Sequence, residues 1–159
     1  MKRRRVVAVI GAGDAPRAVC RLAFALGREI ARSGAVLLNG GRTGVMESAA
    51  AGARSEGGHT IGILPGHDRR EANRHIEFAI ATGIGEARNA VIVASADAVI
   101  ALAGEGGTLA EIGFAKKFGK PIVALDSWPE IDGLDRADTP EGAVALALKL
   151  AASNSRRRK

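Results

Sequence analysis

Three glycine-rich turns and two charged side chains carry most of the chemistry available to this sequence. Asn39-Gly40-Gly41-Arg42-Thr43-Gly44 and Gly104-Glu105-Gly106-Gly107-Thr108-Leu109-Ala110-Glu111 each set glycines and a threonine directly before a helix-forming segment, and Gly11-Ala12-Gly13 ends an apolar run. The first N–H groups of a helix lack intrahelical acceptors and the helix dipole is positive there, so such turns attract anions. A phosphate suits both Gly40, Gly41, Thr43 and Gly44 and Gly104, Gly106, Gly107 and Thr108, and the two loops could share one ligand. Gly11 and Gly13 fit either a ligand turn or a plain strand-to-helix turn. Pro16 stands where a dinucleotide fingerprint has its third glycine, and Asn39 where an acid would hold ribose, so ordinary NAD binding is not expected.

Arg88-Asn89 opens a helix after Thr82-Gly83-Ile84-Gly85. The dipole opposes a cation in a first turn, and a bound phosphate would turn that penalty into a bidentate contact. Glu111 leaves two readings open. Thr108-x-x-Glu111 has the spacing of a capping box, in which the glutamate returns to the threonine N–H; the same carboxylate could instead serve a ligand. There is no G-x-x-x-x-G-K-[ST] and no nucleophile–histidine pairing, and His59, His67 and His75 lack ligand-like spacing. Cys20 has no second cysteine for a disulfide or a metal site and reads as core; no metal ligation is expected.

These residues need a frame, and the hydrophobic pattern supplies one. Val6–Ile10, Ala35–Leu38, Thr60–Leu64, Ala98–Ala103 and Pro121–Leu125 read as strands buried on both faces, with Glu77–Ala81 as a shorter one and His67–His75 as a surface loop. Between them, Arg17–Arg32, Val45–Ser55, Glu86–Ser95, Thr108–Phe118 and a segment from Thr139-Pro140-Glu141 to about Ala152 read as helices. Strands alternating with helices predict an α/β fold: a single Rossmann-like domain over residues 6–152, with a mainly parallel sheet flanked by helices and ligands outside the carboxyl strand ends.

Charge sits largely outside that domain. The 159 residues carry a net charge of +6, but Lys2-Arg3-Arg4-Arg5 and Arg156-Arg157-Arg158-Lys159 account for it, and the body is slightly acidic. Residues 1–5 and 153–159 are therefore expected to be solvated basic tails, with Ser153-Asn154-Ser155 fraying, and nucleic acid is not the expected partner. Apolar runs such as Ala98–Ala103 fall short of the roughly 18–20 residues that cross a bilayer, and the run behind the basic N-terminus is too short for a signal peptide, so a cytoplasmic protein is expected.

Gly40-Gly41-Arg42-Thr43-Gly44-Val45-Met46-Glu47, Ile61-Gly62-Ile63-Leu64-Pro65-Gly66, Ala87-Arg88-Asn89 and Gly106-Gly107-Thr108-Leu109-Ala110-Glu111 together resemble the molybdenum cofactor carrier protein-like branch of the SLOG superfamily over about residues 6–150. The sister branch comprises the LOG-type cytokinin riboside 5′-monophosphate phosphoribohydrolases, often labelled lysine decarboxylase-like. The carrier resemblance implies a homo-oligomer, dimer or tetramer, that holds molybdopterin, molybdenum cofactor or a related nucleotide without transforming it. The LOG resemblance implies hydrolysis of an N-glycosidic bond, with Arg88 and Glu111 as the catalytic residues if the chain is an enzyme. Ala103-Gly104-Glu105 replaces the LOG Pro-Gly-Gly, and Arg88-Asn89 replaces Arg-Lys. A phosphate-bearing small molecule is the expected partner in either case.

Overall fold

A computed structural model describes residues 3–157, which form a three-layer α/β domain. Its strands are β1 (Val6–Ile10), β2 (Val36–Asn39), β3 (Thr60–Leu64), β4 (Phe78–Ala81), β5 (Ala98–Ala101), β6 (Ile122–Leu125) and β7 (Asp135–Ala137). All pair in parallel, in the order β4-β3-β2-β1-β5-β6-β7. The helices are α1 (Arg17–Arg32), α2 (Val45–Ser55), α3 (Arg88–Ser95), α4 (Gly106–Lys117) and α5 (Pro140–Arg157).

Continuous apolar strands divide their side chains between two cores. Val7 and Val9 of β1 face α1, α2 and α5, where Leu26, Ile30, Ala49, Ala53 and Ala147 are fully or almost fully buried. Ala8 and Ile10 face α3 and α4, against Ile92, Val93, Ile112 and Ala115. Small residues set the helix spacing: a Cβ on Gly27 of α1 would overlap the carbonyl oxygen of Ala49 on α2. The core of alanine and branched aliphatics thus lies close under its helices, holding the sheet's carboxyl edge rigid beneath the loops.

The structure differs from the sequence expectation at several places. α4 begins at Gly106, two residues before the expected start, so Thr108 is its third residue rather than its N-cap. Glu105 takes the N-cap position with no side-chain cap hydrogen bond, and the expected Thr108–Glu111 capping box does not form. The glycines that suggested a turn continue the helix instead. A 3-10 turn, Gly85–Ala87, precedes α3, so Arg88 is the first residue of that helix.

β7 was not foreseen, because Asp135-Arg136-Ala137 has no apolar alternation; its place comes from pairing with β6 at the sheet edge. α5 does not fray at Ser153 but runs through to Arg157. Asn154 Nδ2 donates to Gly119 O (3.0 Å) and Ser155 Oγ to Ala151 O (3.0 Å), which ties down a segment whose composition alone suggested a tail. Cys20 is half-buried on α1 rather than in the core. Among the described residues no helix is long and apolar enough to cross a membrane.

Candidate functional site

The strand order fixes where a ligand can sit. After β1 the chain builds β2, β3 and β4 to one side, then returns to lay β5 against the other side of β1. The loops leaving β1 and β5 therefore diverge at their carboxyl ends, which opens the crevice such sheets use for ligands. A cleft of about 210 Å³ lies there. Gly11, Ala12, Gly13 and Asp14 form one wall; Glu105, Gly107, Thr108 and Glu111 form the other; Glu86, Arg88, Asn89 and Met46 complete the lining.

Each wall has a local cause. The first hydrogen bond within α4 runs from Leu109 N–H to Glu105 O (2.9 Å), so the N–H groups of Gly106, Gly107 and Thr108 precede the ladder and are available to an anion. A Cβ on Gly107 would come no closer than 3.7 Å to Asn89 Nδ2, which leaves open space above the helix start. Gly104 sits against Thr108, whose Oγ1 would clash with any Cβ there. Gly106 itself does not line the cleft but begins the helix that does.

The Gly40–Gly44 loop has a different place. Gly40, Gly41, Thr43 and Gly44 do not line the cleft but buttress it from behind. Thr43 Oγ1 donates to Gly13 O (2.8 Å), and Val45 N–H donates to Ala12 O (3.0 Å), locking this loop onto the β1 loop. Buried Asn39 shapes the turn, since its Oδ1 accepts from Gly41 N–H (2.8 Å) and its Nδ2 donates to Met46 O (2.9 Å). Gly44 has φ of 65° and lies so close to Ala12 O that no Cβ fits. Sequence reasoning missed this role of Asn39, although Asn before Gly-Gly is a recognised Asx-turn signal. It also missed Ala12, Asp14, Met46 and Glu86 as lining residues, because the sequence beside a glycine turn does not reveal which side chains the fold turns toward the crevice.

Arg88 is buried, and its Nη1 donates to the carbonyl oxygens of Gly40 (2.7 Å) and Ile63. The cation opposed by the α3 dipole therefore joins the ends of β2 and β3. Nε is buried without a hydrogen-bond partner, and among the described residues Nη2 has none either. Burial lowers the guanidinium's pKa, while the carboxyls of Glu86 and Glu111 raise it. Glu111 is buried too, with no side-chain hydrogen bond among the described residues. Burial pushes its carboxyl up to about 8; Arg88 opposes the rise and Glu86 adds to it. The shift favours the neutral acid near neutral pH. Asn89 Nδ2 reaches Glu86 Oε2 at 3.4 Å. No group of three or more His, Cys, Asp or Glu side chains is placed to hold a metal ion among the described residues.

Known proteins share this sequence pattern and fold. The signature of the SLOG cluster4 family (LDcluster4) matches residues 4–152. An uncharacterized protein of Archaeoglobus fulgidus is 44% identical over 138 residues, covering 87% of this chain and 91% of that one. A cytokinin riboside 5′-monophosphate phosphoribohydrolase of Mycobacterium marinum is 34% identical over 122 residues, covering 71% of this chain and 65% of that relative. Among solved structures, the molybdenum cofactor binding protein of Rippkaea orientalis superposes with a TM-score of 0.86 at 35% identity, covering 94% of this chain and 98% of that one. The molybdenum cofactor carrier protein of Chlamydomonas reinhardtii does so with a TM-score of 0.86 at 34% identity, covering 94% and 99%. By sequence signature, topology and the cleft at its switch point, the chain belongs to the SLOG cluster4 family.

Proposed function

We propose that the cleft between the β1 and β5 loops binds a phosphate-bearing small molecule, with molybdenum cofactor as the first candidate, and holds it without transforming it. The observation that carries this reading is the cleft at the α4 start, where the N–H groups of Gly107 and Thr108 precede the helix ladder beside buried Arg88 and Glu111. Burial raises the Glu111 carboxyl to about 8, which favours the neutral acid over the carboxylate that a phosphoribohydrolase would set against the positive charge on ribose. The neutral acid can still exchange hydrogen bonds with a held ligand.

The lining suits such a cargo. The N–H groups of Gly107 and Thr108 on the cleft wall are available to an anion, and the side chains of Asp14 and Glu86 could accept from the ring N–H groups of a pterin. The Rippkaea and Chlamydomonas neighbours are described as binding or carrying that cofactor. Gly40–Gly44 supports the site by fixing the β1 loop, and a homo-oligomer in the cytoplasm is the setting we propose for it.

A second reading keeps one specific observation in its favour. Arg88 and Glu111, the residues that the LOG resemblance marks as catalytic, line the same cleft, and a phosphoribohydrolase is among the relatives. In that reading the ligand is a nucleoside 5′-monophosphate and Glu111 must ionise in the complex.

Titration calorimetry with a phosphorylated pterin and with adenosine 5′-monophosphate tests the cleft itself. In Gly107→Val the added methyl groups occupy the space over the α4 start, and ligand affinity should fall at least about 10-fold with the melting temperature nearly kept. Glu105→Gln removes a negative charge beside the anion site and should tighten binding several-fold, of the order of 1 kcal/mol. Unchanged affinity in both variants would place the ligand elsewhere.

A further inference from the structure

The two edges of the sheet are finished differently. β7, at one edge, is short and carries Asp135 and Arg136, and both its brevity and its charges discourage a further strand. β4, at the other edge, reads Phe78-Ala79-Ile80-Ala81, with neither a charge nor a proline. An apolar edge of this kind is a template for another strand. Its register with β3 sets Phe78 beside Ile61 and Ile80 beside Ile63, on the sheet face that α3 and α4 cover elsewhere. The edge itself is left open, with Phe78 53% and Ile80 49% exposed.

The backbone of β4 is directed to the same side. Thr82 N–H donates to Leu64 O on β3 (3.2 Å), so alternation along the strand turns the N–H and C=O groups of Phe78 and Ile80 toward β3 and those of Ala79 and Ala81 toward the open edge. Glu77, the acid next to the strand, is held within its own chain by Arg54 Nη1 (3.1 Å) and His59 Nδ1 (2.9 Å).

We propose that β4 pairs antiparallel with β4 of a second copy about a two-fold axis through Ala79, continuing the sheet across both subunits and giving the homo-oligomer proposed above its surface. The order of residues in the strand fits that partner. With the axis at Ala79, Phe78 lies opposite the partner's Ile80 and Ile80 opposite the partner's Phe78, so two aromatic–branched pairs form on one face. Because Ala79 faces outward, it exchanges both ladder hydrogen bonds with the partner's Ala79, and the flanking pairs are the non-hydrogen-bonded kind whose side chains approach most closely. A symmetric contact sets residues near its axis against their own copies, so a charge there would meet a like charge; this strand has none. The half-exposed Phe78 and Ile80 of both copies bury roughly 400 Å², at about 100 Å² for each side chain, and the paired backbones add to this. That apolar part is about a third of the roughly 1,200 Å² at which standard interfaces begin, so the dimer dissociates on dilution.

Analytical ultracentrifugation of the full chain from about 1 to 100 μM tests the pairing, and the natural protein should shift from monomer toward dimer as concentration rises. Ile80→Lys sets a charge opposite a phenylalanine and should abolish the shift, with little change in melting temperature because the side chain is half exposed. Ala79→Cys tests the register. In a Cys20→Ala background it should oxidise to a covalent dimer, since the two Cα atoms of a hydrogen-bonded antiparallel pair stand about 5.5 Å apart, within disulfide reach. Ala81→Cys in the same background should give none, because the two copies of that position lie about four residues apart along the strands, roughly 14 Å. A natural chain that stays monomeric throughout would overturn both this interface and the homo-oligomer. A dimer that survives Ile80→Lys, or that fails to cross-link through Ala79→Cys, would overturn the β4 interface alone and leave the oligomer to another surface.

Discussion

Replacing Glu111 by glutamine is expected to remove most of a loss of stability that the natural protein suffers between about pH 4.5 and pH 8. Below the ordinary carboxyl value of 4.5, Glu111 is protonated in both the folded and the unfolded chain and contributes no slope. As pH rises further, the unfolded carboxyl ionises while the folded one, held at about 8 chiefly by burial, keeps its proton. The folded state then binds more protons than the unfolded state, so stability falls by about 1.4 kcal/mol per pH unit and levels off above the folded value. The full difference is on the order of 5 kcal/mol, large against a typical total of about 5–15 kcal/mol. Glutamine cannot titrate. Denaturant melts of both proteins from pH 5 to pH 9 isolate the effect, since other groups contribute equally to each. Parallel curves would show that Glu111 ionises normally and would remove the main argument for a non-catalytic cleft.

Arg88→Met is expected to damage both stability and binding. The methionine fills much of the same volume but leaves the carbonyls of Gly40 and Ile63 without the Nη1 donor that joins them. Each unsatisfied buried acceptor costs about 1–3 kcal/mol, partly offset because the unpartnered Nε is no longer buried. A net loss of about 2–4 kcal/mol follows. With the Arg88 bridge between Gly40 O and Ile63 O lost at the carboxyl ends of β2 and β3, the loop behind the β1 wall shifts and ligand affinity should drop at least about 100-fold, more than removal of a single anion contact would cause. Arg88→Lys should recover part of the stability, since the ammonium's three donors can serve both carbonyls, but not the affinity, because the guanidinium's remaining nitrogens toward the cleft are lost. A variant with normal stability but weakened binding would instead make Arg88 an anion clamp alone.

Much of the frame was readable in the sequence. Val6–Ile10 and Ala98–Ala101 are strands because uninterrupted branched and small apolar residues bury both faces, and the glycines after them mark the carboxyl edge. Arg88, Asn89, Gly107, Thr108 and Glu111, singled out in the sequence, line one cleft in a crevice set by strand order, although more than seventy residues separate the two loops that wall it. What was not readable depends on three-dimensional partners. Gly106-Gly107 can end a turn or start a helix, and packing of Ile112 and Ala115 on the sheet decided for helix, which dissolved the expected cap. Asp135–Ala137 becomes a strand only because β6 offers an edge. Thr43 looked like a phosphate ligand, and its hydroxyl is instead spent on Gly13 O, an acceptor thirty residues away that local sequence cannot reveal.

The fate of a bound ligand tests the central claim most directly. The protein is loaded in parallel with a phosphorylated pterin and with adenosine 5′-monophosphate, incubated at pH 7, and the released and retained molecules are identified by mass spectrometry. The account predicts that the bound ligand is recovered intact, in stoichiometric amount, from the natural protein and from Glu111→Gln alike. Free base and ribose 5-phosphate from the natural protein, absent in Glu111→Gln at unchanged affinity and melting temperature, would contradict it and make the cleft a hydrolase site.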